Sequence, residues 1–174
     1  MEIVIAHPEQ LDAIVALTER AQAAMAALGL DQWQNGYPNR AVWEADIAAG
    51  GAYAALDEGR VAGMMRYCAG PDPSYATIDG AWLTDGPYAA IHRLAVDPDL
   101  RGRGLAGTLL AFACEKAAAE GLASVRIDTH ADNVPMQRAL AKAGFARCGT
   151  VTLAEGLEAG APRLAYERAL SPTA

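Results

Sequence analysis

The run from Ile91 to Gly107, IHRLAVDPDLRGRGLAG, constrains the fold more than any other part of the chain. An apolar strand leads into a short polar crossing at Asp97, Pro98 and Asp99, then into a glycine-rich turn that opens a helix near Leu105. The first amides of a helix have no intrahelical acceptor and, with the helix dipole, form a positive pocket for an anion. Gly102 and Gly104 place no side chain between those amides and a phosphate, and Arg101 and Arg103 add charge at the rim. An ordinary strand-to-helix turn, in which the glycines merely permit positive φ, accounts for the same residues without a ligand.

Two ligand-binding motifs satisfy the spacing. Gly102, Gly104 and Gly107 fit G-x-G-x-x-G, and Asp128 falls about where a dinucleotide fold places its ribose-binding acid, which keeps an NAD(P)-dependent oxidoreductase as a remote alternative. Placement argues against it. Asp97 to Arg101 intervene between strand and first glycine, and the motif lies too far along the chain to leave room for a six-stranded doubly wound sheet.

The segment Arg101-Gly102-Arg103-Gly104-Leu105-Ala106 resembles the Arg/Gln-x-x-Gly-x-Gly/Ala signature of the GNAT N-acetyltransferases, preceded as in that family by a Leu-x-Val strand and a proline. Ser124 to Asp128 is similar to the family's next strand, and Asn133 through Gly144-Phe145 to its following helix and Gly-Phe exit. The motifs cover Ile91 to Phe145, and Glu2 to Leu28 has the family's strand-then-helix opening; residues 29 to 88 match only in layout. The resemblance implies a single α/β domain over residues 1–170, with a mixed, mostly antiparallel sheet flanked by helices on both faces and a short tail at 171–174. It also implies acetyl-CoA as co-substrate, bound where the strand ending at Val96 and the strand Ser124–Asp128 splay.

Composition narrows the alternatives. A chain of 174 residues with 52% hydrophobic and 20% charged residues is ordinary for one globular domain with a full core. No apolar run approaches a membrane span, and the start, with Glu2, Glu9 and Asp12, does not read as a signal peptide. Cys68, Cys114 and Cys148 are odd in number and widely spaced, which suits a reducing cytoplasm and argues against a structural metal or a disulfide framework. A net charge of -7 without a Lys/Arg run disfavours nucleic acid as a partner.

In order along the chain, Glu2 to Ala6 reads as a strand. Pro8 starts a helix whose stripe of Leu11, Ile14, Val15, Leu17, Ala21, Met25 and Leu28 is core, and Gly29 ends it. A polar aromatic loop, Asp31 to Pro38, precedes a helix from about Asn39 to Ala49, and Ala52–Leu56 with Val61–Tyr67 reads as a hairpin. The stretch from Cys68 to Pro87 is a long ordered loop, expected to cover an acceptor pocket. Beyond the central helix, Ser124–Asp128 is a strand and Asn133 caps a helix to Ala143. Ala146–Leu153 and Arg163–Leu170 are the last strands.

The resemblance assigns the donor site to Leu94, Ala95, Val96, Arg101, Gly102, Arg103, Gly104, Leu105, Ala106, Gly107 and Asn133. Backbone amides of the glycine turn take the pyrophosphate, Leu94 and Val96 pair with the pantetheine arm as an added strand, and the Val96 amide faces the thioester carbonyl. Asn133 reads equally as a plain helix cap. A protonated amine, with a pKa near ~10, needs a base or a water relay. At the position of the family's usual glutamate stands Ala90, so His92, on the face expected to be shared with Ala90 and Leu94, is the candidate base beside the reading of a buried structural histidine. At the position of the usual tyrosine acid stands Leu140; Tyr166 is a weak substitute, with Tyr88, Cys148 or solvent also open. Trp33, Tyr37 and Trp82 are candidate acceptor contacts. The acceptor is the amine of a small molecule or peptide, homodimers being common in such families. Ala90 and Leu140 also motivate a non-catalytic acyl-CoA-binding or sensing domain.

Overall fold

The computed structural model describes residues 1–171; residues 172–174, most of the expected tail, lie outside the described residues. The elements follow the order β1 (Glu2–Ile5), α1 (Leu11–Ala27), α2 (Arg40–Ala48), β2 (Ala52–Asp57), β3 (Arg60–Ala69), β4 (Asp79–Gly80), β5 (Tyr88–Val96), α3 (Leu105–Ala119), β6 (Ser124–Thr129), α4 (Val134–Lys142), β7 (Ala146–Thr152) and β8 (Pro162–Ala169). The hydrogen-bonded strand order is β1-β2-β3-β5-β6-β8-β7-β4. The β1–β2, β2–β3, β4–β7, β6–β8 and β7–β8 pairs are antiparallel, and β5 pairs with β6 in parallel. This is the mixed, mostly antiparallel sheet expected from the sequence. No described helix is long and apolar enough to cross a membrane.

The chain divides into two compact units, residues 1–67 with 93–109, and residues 68–92 with 110 onward. In the first, α1 buries Ile14, Leu17, Thr18 and Ala21. The fully buried Trp43 of α2 donates its indole N–H to Thr18 Oγ1 at 2.9 Å, and Thr18 donates in turn to the Ile14 carbonyl at 2.8 Å. A buried indole N–H without an acceptor is costly, so this bond fixes how the two helices meet. Asn39 caps α2 through the Val42 amide at 3.2 Å. The β2–β3 hairpin turns at Glu58 and Gly59, with φ of +50° and +77°, the pair of left-handed residues that matches strand twist.

The second unit departs from the expected loop at 68–87. Its 70–87 portion carries a 3-10 turn at Pro73–Tyr75 and the two-residue strand β4, paired as Asp79↔Thr150 and Gly80↔Gly149. Two residues are too few to show an alternation. What permits the pairing is the missing side chains: a Cβ on Gly149 would lie 2.1 Å from the Asp79 carbonyl oxygen, and one on Gly80 2.2 Å from that of Cys148. Strand β5 begins at Tyr88, directly after the expected loop end at Pro87. Ala89, Ala90 and Ile91 are all buried, and a strand covered on both faces has no polar alternation to announce it. The core of this unit gathers Tyr75, Ala90, Val151 and Ala165, with Cys68, Ile78, Trp82 and Tyr88 packed against them.

Beside that core Glu167 is fully buried and paired with Arg126, Nε to Oε1 at 3.0 Å. Ser124 Oγ donates to the same oxygen at 2.5 Å, and the Leu83 amide donates to Oε2. The Arg126 guanidinium is sandwiched between Trp82 and Tyr88, 4.2 and 3.9 Å from the ring centroids, and reaches the Thr84 carbonyl at 2.7 Å. Burial disfavours the Glu167 carboxylate, but the donors from Ser124, Arg126, Leu83 and Thr84 outweigh it and hold its pKa below the ordinary value.

Candidate functional site

In the first unit, β5 ends at Val96 and the chain crosses a 3-10 turn at Pro98–Leu100. That crossing is held from several sides. The Asp97 amide donates to the Ala62 carbonyl at 2.8 Å, Asp97 Oδ1 accepts from the Asp99 amide at 2.9 Å, and Arg20 forks onto Asp97 at 2.9 and 2.6 Å while reaching Asp99 at 2.6 Å. Gly102 and Gly104 follow with φ of +82° and +81°, the left-handed region that side chains disfavour. The first bond of the α3 ladder runs from the Thr108 amide to the Gly104 carbonyl at 3.0 Å, so the amides before it lack intrahelical acceptors. A Cβ built on Gly102, Gly104 or Gly107 would meet no atom within 4 Å. Arg101 and Arg103 are exposed, Leu105 is buried, and Leu94 and Ala95 are each 8% exposed. An open, positively polarised turn with charged rim residues fits a pyrophosphate.

The same strand carries a feature the sequence did not announce. Arg93 has φ of +53°, which breaks the two-residue alternation after His92 and with it the expectation that Leu94 shares the face of Ala90 and His92, both of which meet Tyr75. Its conformation is held by Asp46, which accepts from Nε at 2.9 Å and Nη2 at 2.5 Å, and by Tyr37 Oη, which accepts from Nη1 at 2.5 Å. Tyr37 is thus tied to β5 rather than loose on its loop. Trp33, expected at a pocket mouth, is 6% exposed and lies in the core with Ile14, Leu17 and Trp43.

In the second unit, the β5–β6 ladder runs from Tyr88↔Ser124 to Ile91↔Ile127. His92 and Asp128 are the next residues on each strand, and both belong to a cluster of ionisable groups. His92 Nε2 lies 2.8 Å from Asp72 Oδ2. Its ring stacks on Tyr75, with centroids 6.0 Å apart and planes at 29°, and Tyr75 Oη donates to Asp128 Oδ1 at 2.7 Å. Burial works against a charged His92 ring, but hydrogen bonds to Asp72 and Cys68 and the charge of Asp128 outweigh it, lifting its pKa to about 9. Burial in turn raises Asp128, against the opposing charge of His92. Asp72, despite burial, is held low by its bond to His92. The candidate base is therefore an imidazolium at neutral pH and becomes neutral only near pH 9.

The other expected residues fall as follows. Asn133 caps α4, its Oδ1 accepting from the Met136 amide at 3.2 Å. Leu140 and Ala90 are fully buried. Tyr166 is 6% exposed on β8, opposite Ile127. Tyr88 Oη accepts from the Asp72 amide at 2.9 Å, and burial raises the Cys148 thiol. Trp82 donates its indole N–H to the Tyr75 carbonyl at 3.2 Å while stacking on Arg126. Cys68, Cys114 and Cys148 are free thiols, and the described residues contain no group of three or more His, Cys, Asp or Glu able to hold a metal. Sequence reasoning missed Asp72 and Tyr75. The Asp-Pro-Ser-Tyr run was the available signal, since Asp before Pro starts a turn and directs its own carboxylate.

Residues 18–145 match the model of the acetyltransferase (GNAT) family. A crystal structure of a GNAT-family acetyltransferase from Streptococcus agalactiae is 37% identical, with 98% of this chain and 95% of that one covered and a TM-score of 0.86. A putative acetyltransferase from Staphylococcus aureus, 24% identical with 98% and 100% covered and a TM-score of 0.71, shares the fold. A mycothiol acetyltransferase of Clavibacter michiganensis is 40% identical over 65 residues, 37% of this chain; the match spans about a fifth of that protein, 21% of its length. These matches set aside the dinucleotide reading of the glycine turn, and the crossing of Asp97 to Arg101 shows why its spacing misled: the strand does not feed the first glycine. The chain belongs to the GNAT acetyltransferase family and is an acyltransferase.

Proposed function

We propose that the protein moves an acetyl group from acetyl-CoA directly to an amine of a small molecule or peptide. The observation that carries this is the open turn at Gly102–Gly107, with Gly102 and Gly104 in left-handed backbone and unoccupied space where side chains would stand. The amides of Gly102, Gly104, Ala106 and Gly107 bind the pyrophosphate, with Arg101 and Arg103 at the rim. Leu94 to Val96 align the pantetheine arm, and Asn133 contacts it while capping α4. The Val96 amide donates to the acetyl carbonyl oxygen as negative charge develops there. When bound, acetyl-CoA supplies an acetyl group activated as a thioester; the carbon–nitrogen bond forms as the carbon–sulfur bond breaks. In its neutral form, which becomes dominant only as pH passes about 9, His92 accepts the amine's proton, and the thiolate leaves with little assistance because it is reasonably stable near neutral pH. Tyr37 and Trp82 are retained as acceptor contacts, and Tyr166 as a weak acid candidate.

The fully buried Ala90 and Leu140, at positions where relatives carry base and acid, favour a second reading: an acyl-CoA-binding domain without turnover. Titration calorimetry with acetyl-CoA and NADH, followed by an amine panel assayed for thiol release, separates the two. The proposal expects acetyl-CoA binding, no NADH binding, and turnover of at least one amine. Gly104→Glu should abolish acetyl-CoA binding, by steric block and by like charge; unchanged affinity would overturn the assignment of the turn.

A further inference from the structure

We infer that Asp72 is a positioning residue for His92, and that the Asp72-Pro73-Ser74-Tyr75 turn holds the imidazole in one tautomer, with Nε2–H directed to Asp72. This deepens the acetyl-transfer reading and rests on it for the use to which the base is put.

The turn grips the ring from two sides. Asp72 caps its own 3-10 turn, Oδ1 accepting from the Ser74 amide at 2.8 Å, which leaves Oδ2 for His92 Nε2 at 2.8 Å. The Asp72 amide is anchored on Tyr88 Oη at 2.9 Å, and Ser74 Oγ accepts from the Ala154 amide at 3.0 Å, so the turn is pinned at both ends. Tyr75, three residues on, covers the ring face and is itself fixed by its bond to Asp128. A carboxylate receiving Nε2–H leaves the neutral ring only Nδ1 as a lone-pair nitrogen.

The ionisable groups facing the ring are Asp72 and Tyr75 from the turn, Cys68 from β3 and Asp128 from β6. Arg163 of β8 acts on Asp128 from further out while paired to Glu158 at 3.1 Å. The chemical gain is a match of proton affinities. A primary ammonium titrates near ~10 and an ordinary imidazole near ~6.5, so an unassisted ring accepts the proton against a gap of about 3.5 pH units. With Asp72, Cys68 and Asp128 around it His92 titrates at about 9 and the gap shrinks to about one.

The test is an NMR titration of the histidine ring nitrogens in the full chain, wild type and Asp72→Asn, beside the pH dependence of kcat/KM. There are three histidines, so His92→Gln assigns the signal. Asp72→Asn keeps the bond to the Ser74 amide and removes the charge; Asp72→Ser, which also keeps the cap, serves if the first variant unfolds. The expected result is a His92 titration near pH 9 with Nε2 protonated above it. It should fall in Asp72→Asn, with the rising limb of kcat/KM following. A His92 titration that does not move, or a limb that stays while the titration moves, overturns the inference. Failure of the acetyl-transfer reading shows separately, as absence of turnover with any amine, and the nitrogen titration still decides whether Asp72 sets the ring.

Discussion

Glu167 offers the sharpest test of how the 70–87 connection is held. Its carboxylate is fully buried and receives Arg126, Ser124, the Leu83 amide and the Thr84 amide at 3.3 Å, with the Thr84 hydroxyl 2.9 Å from Oε1. Glu167→Gln preserves shape and removes the charge. Two penalties follow: the Arg126 guanidinium, itself 5% exposed, loses its counterion, and in either orientation the new amide sets an N–H against a donor-only group, the Arg126 guanidinium or the Leu83 amide. Breaking a buried ion pair from one side costs about 3–5 kcal/mol. At about 2–4 °C per kcal/mol for a chain of this size, Tm should fall by roughly 6–20 °C.

The control is the double variant Arg126→Met with Glu167→Leu. Removing both charges abolishes the uncompensated ion, so the double should be less destabilised than the sum of the single variants by about 1–3 kcal/mol. Urea unfolding measures both quantities, and amide exchange at Leu83 and Thr84, whose charged acceptor is weakened or lost in Glu167→Gln, reports the local effect. Because the folded pKa of Glu167 is depressed, its contribution is present above the unfolded value near ~4.3 and is lost as pH falls through the folded one. The acid limb of stability should therefore flatten in the variant. A loss below about 1 kcal/mol, or strict additivity in the double, would refute the reasoning.

Two further outcomes follow from other parts of the molecule. Gly149→Ala drives a methyl group into the Asp79 carbonyl at a backbone φ of +153°, and should cost about 2–5 kcal/mol from overpacking and strain, read by urea unfolding together with lost protection of the β4–β7 amides. His92, raised from 6.5 to about 9 on folding, stabilises the protein fully below pH 6.5; that contribution, about 3 kcal/mol, is lost as pH rises through 9. Urea midpoints at pH 6 and pH 9.5 should show the loss in wild type and a smaller one in Asp72→Asn.

What could be read from the sequence, and what could not, separates along the range of the physics. The glycine turn is legible because its conformation is backbone chemistry written by neighbours: Pro98 ends the strand, Gly102 and Gly104 permit left-handed φ, and Leu105 starts the helix within eight residues. Helices α1, α2 and α4 are legible for the same reason, each with a cap or stop beside an apolar stripe. The proton-handling cluster is not. Tyr75 and Asp128 are 53 residues apart, and only the β5–β6 register, which places His92 and Asp128 next after Ile91↔Ile127, brings the partners to one place. A lone histidine on a strand announces neither its carboxylate nor its charge. The alternation argument failed at Arg93, where a long-range hold from Asp46 and Tyr37 stabilises a conformation that local preference disfavours by about 1–2 kcal/mol. That strain is informative: it sets His92 and Leu94 out of phase on one strand. The hold from Asp46 and Tyr37, rather than any regular strand preference, therefore decides how the alternation of β5 is reset at Arg93.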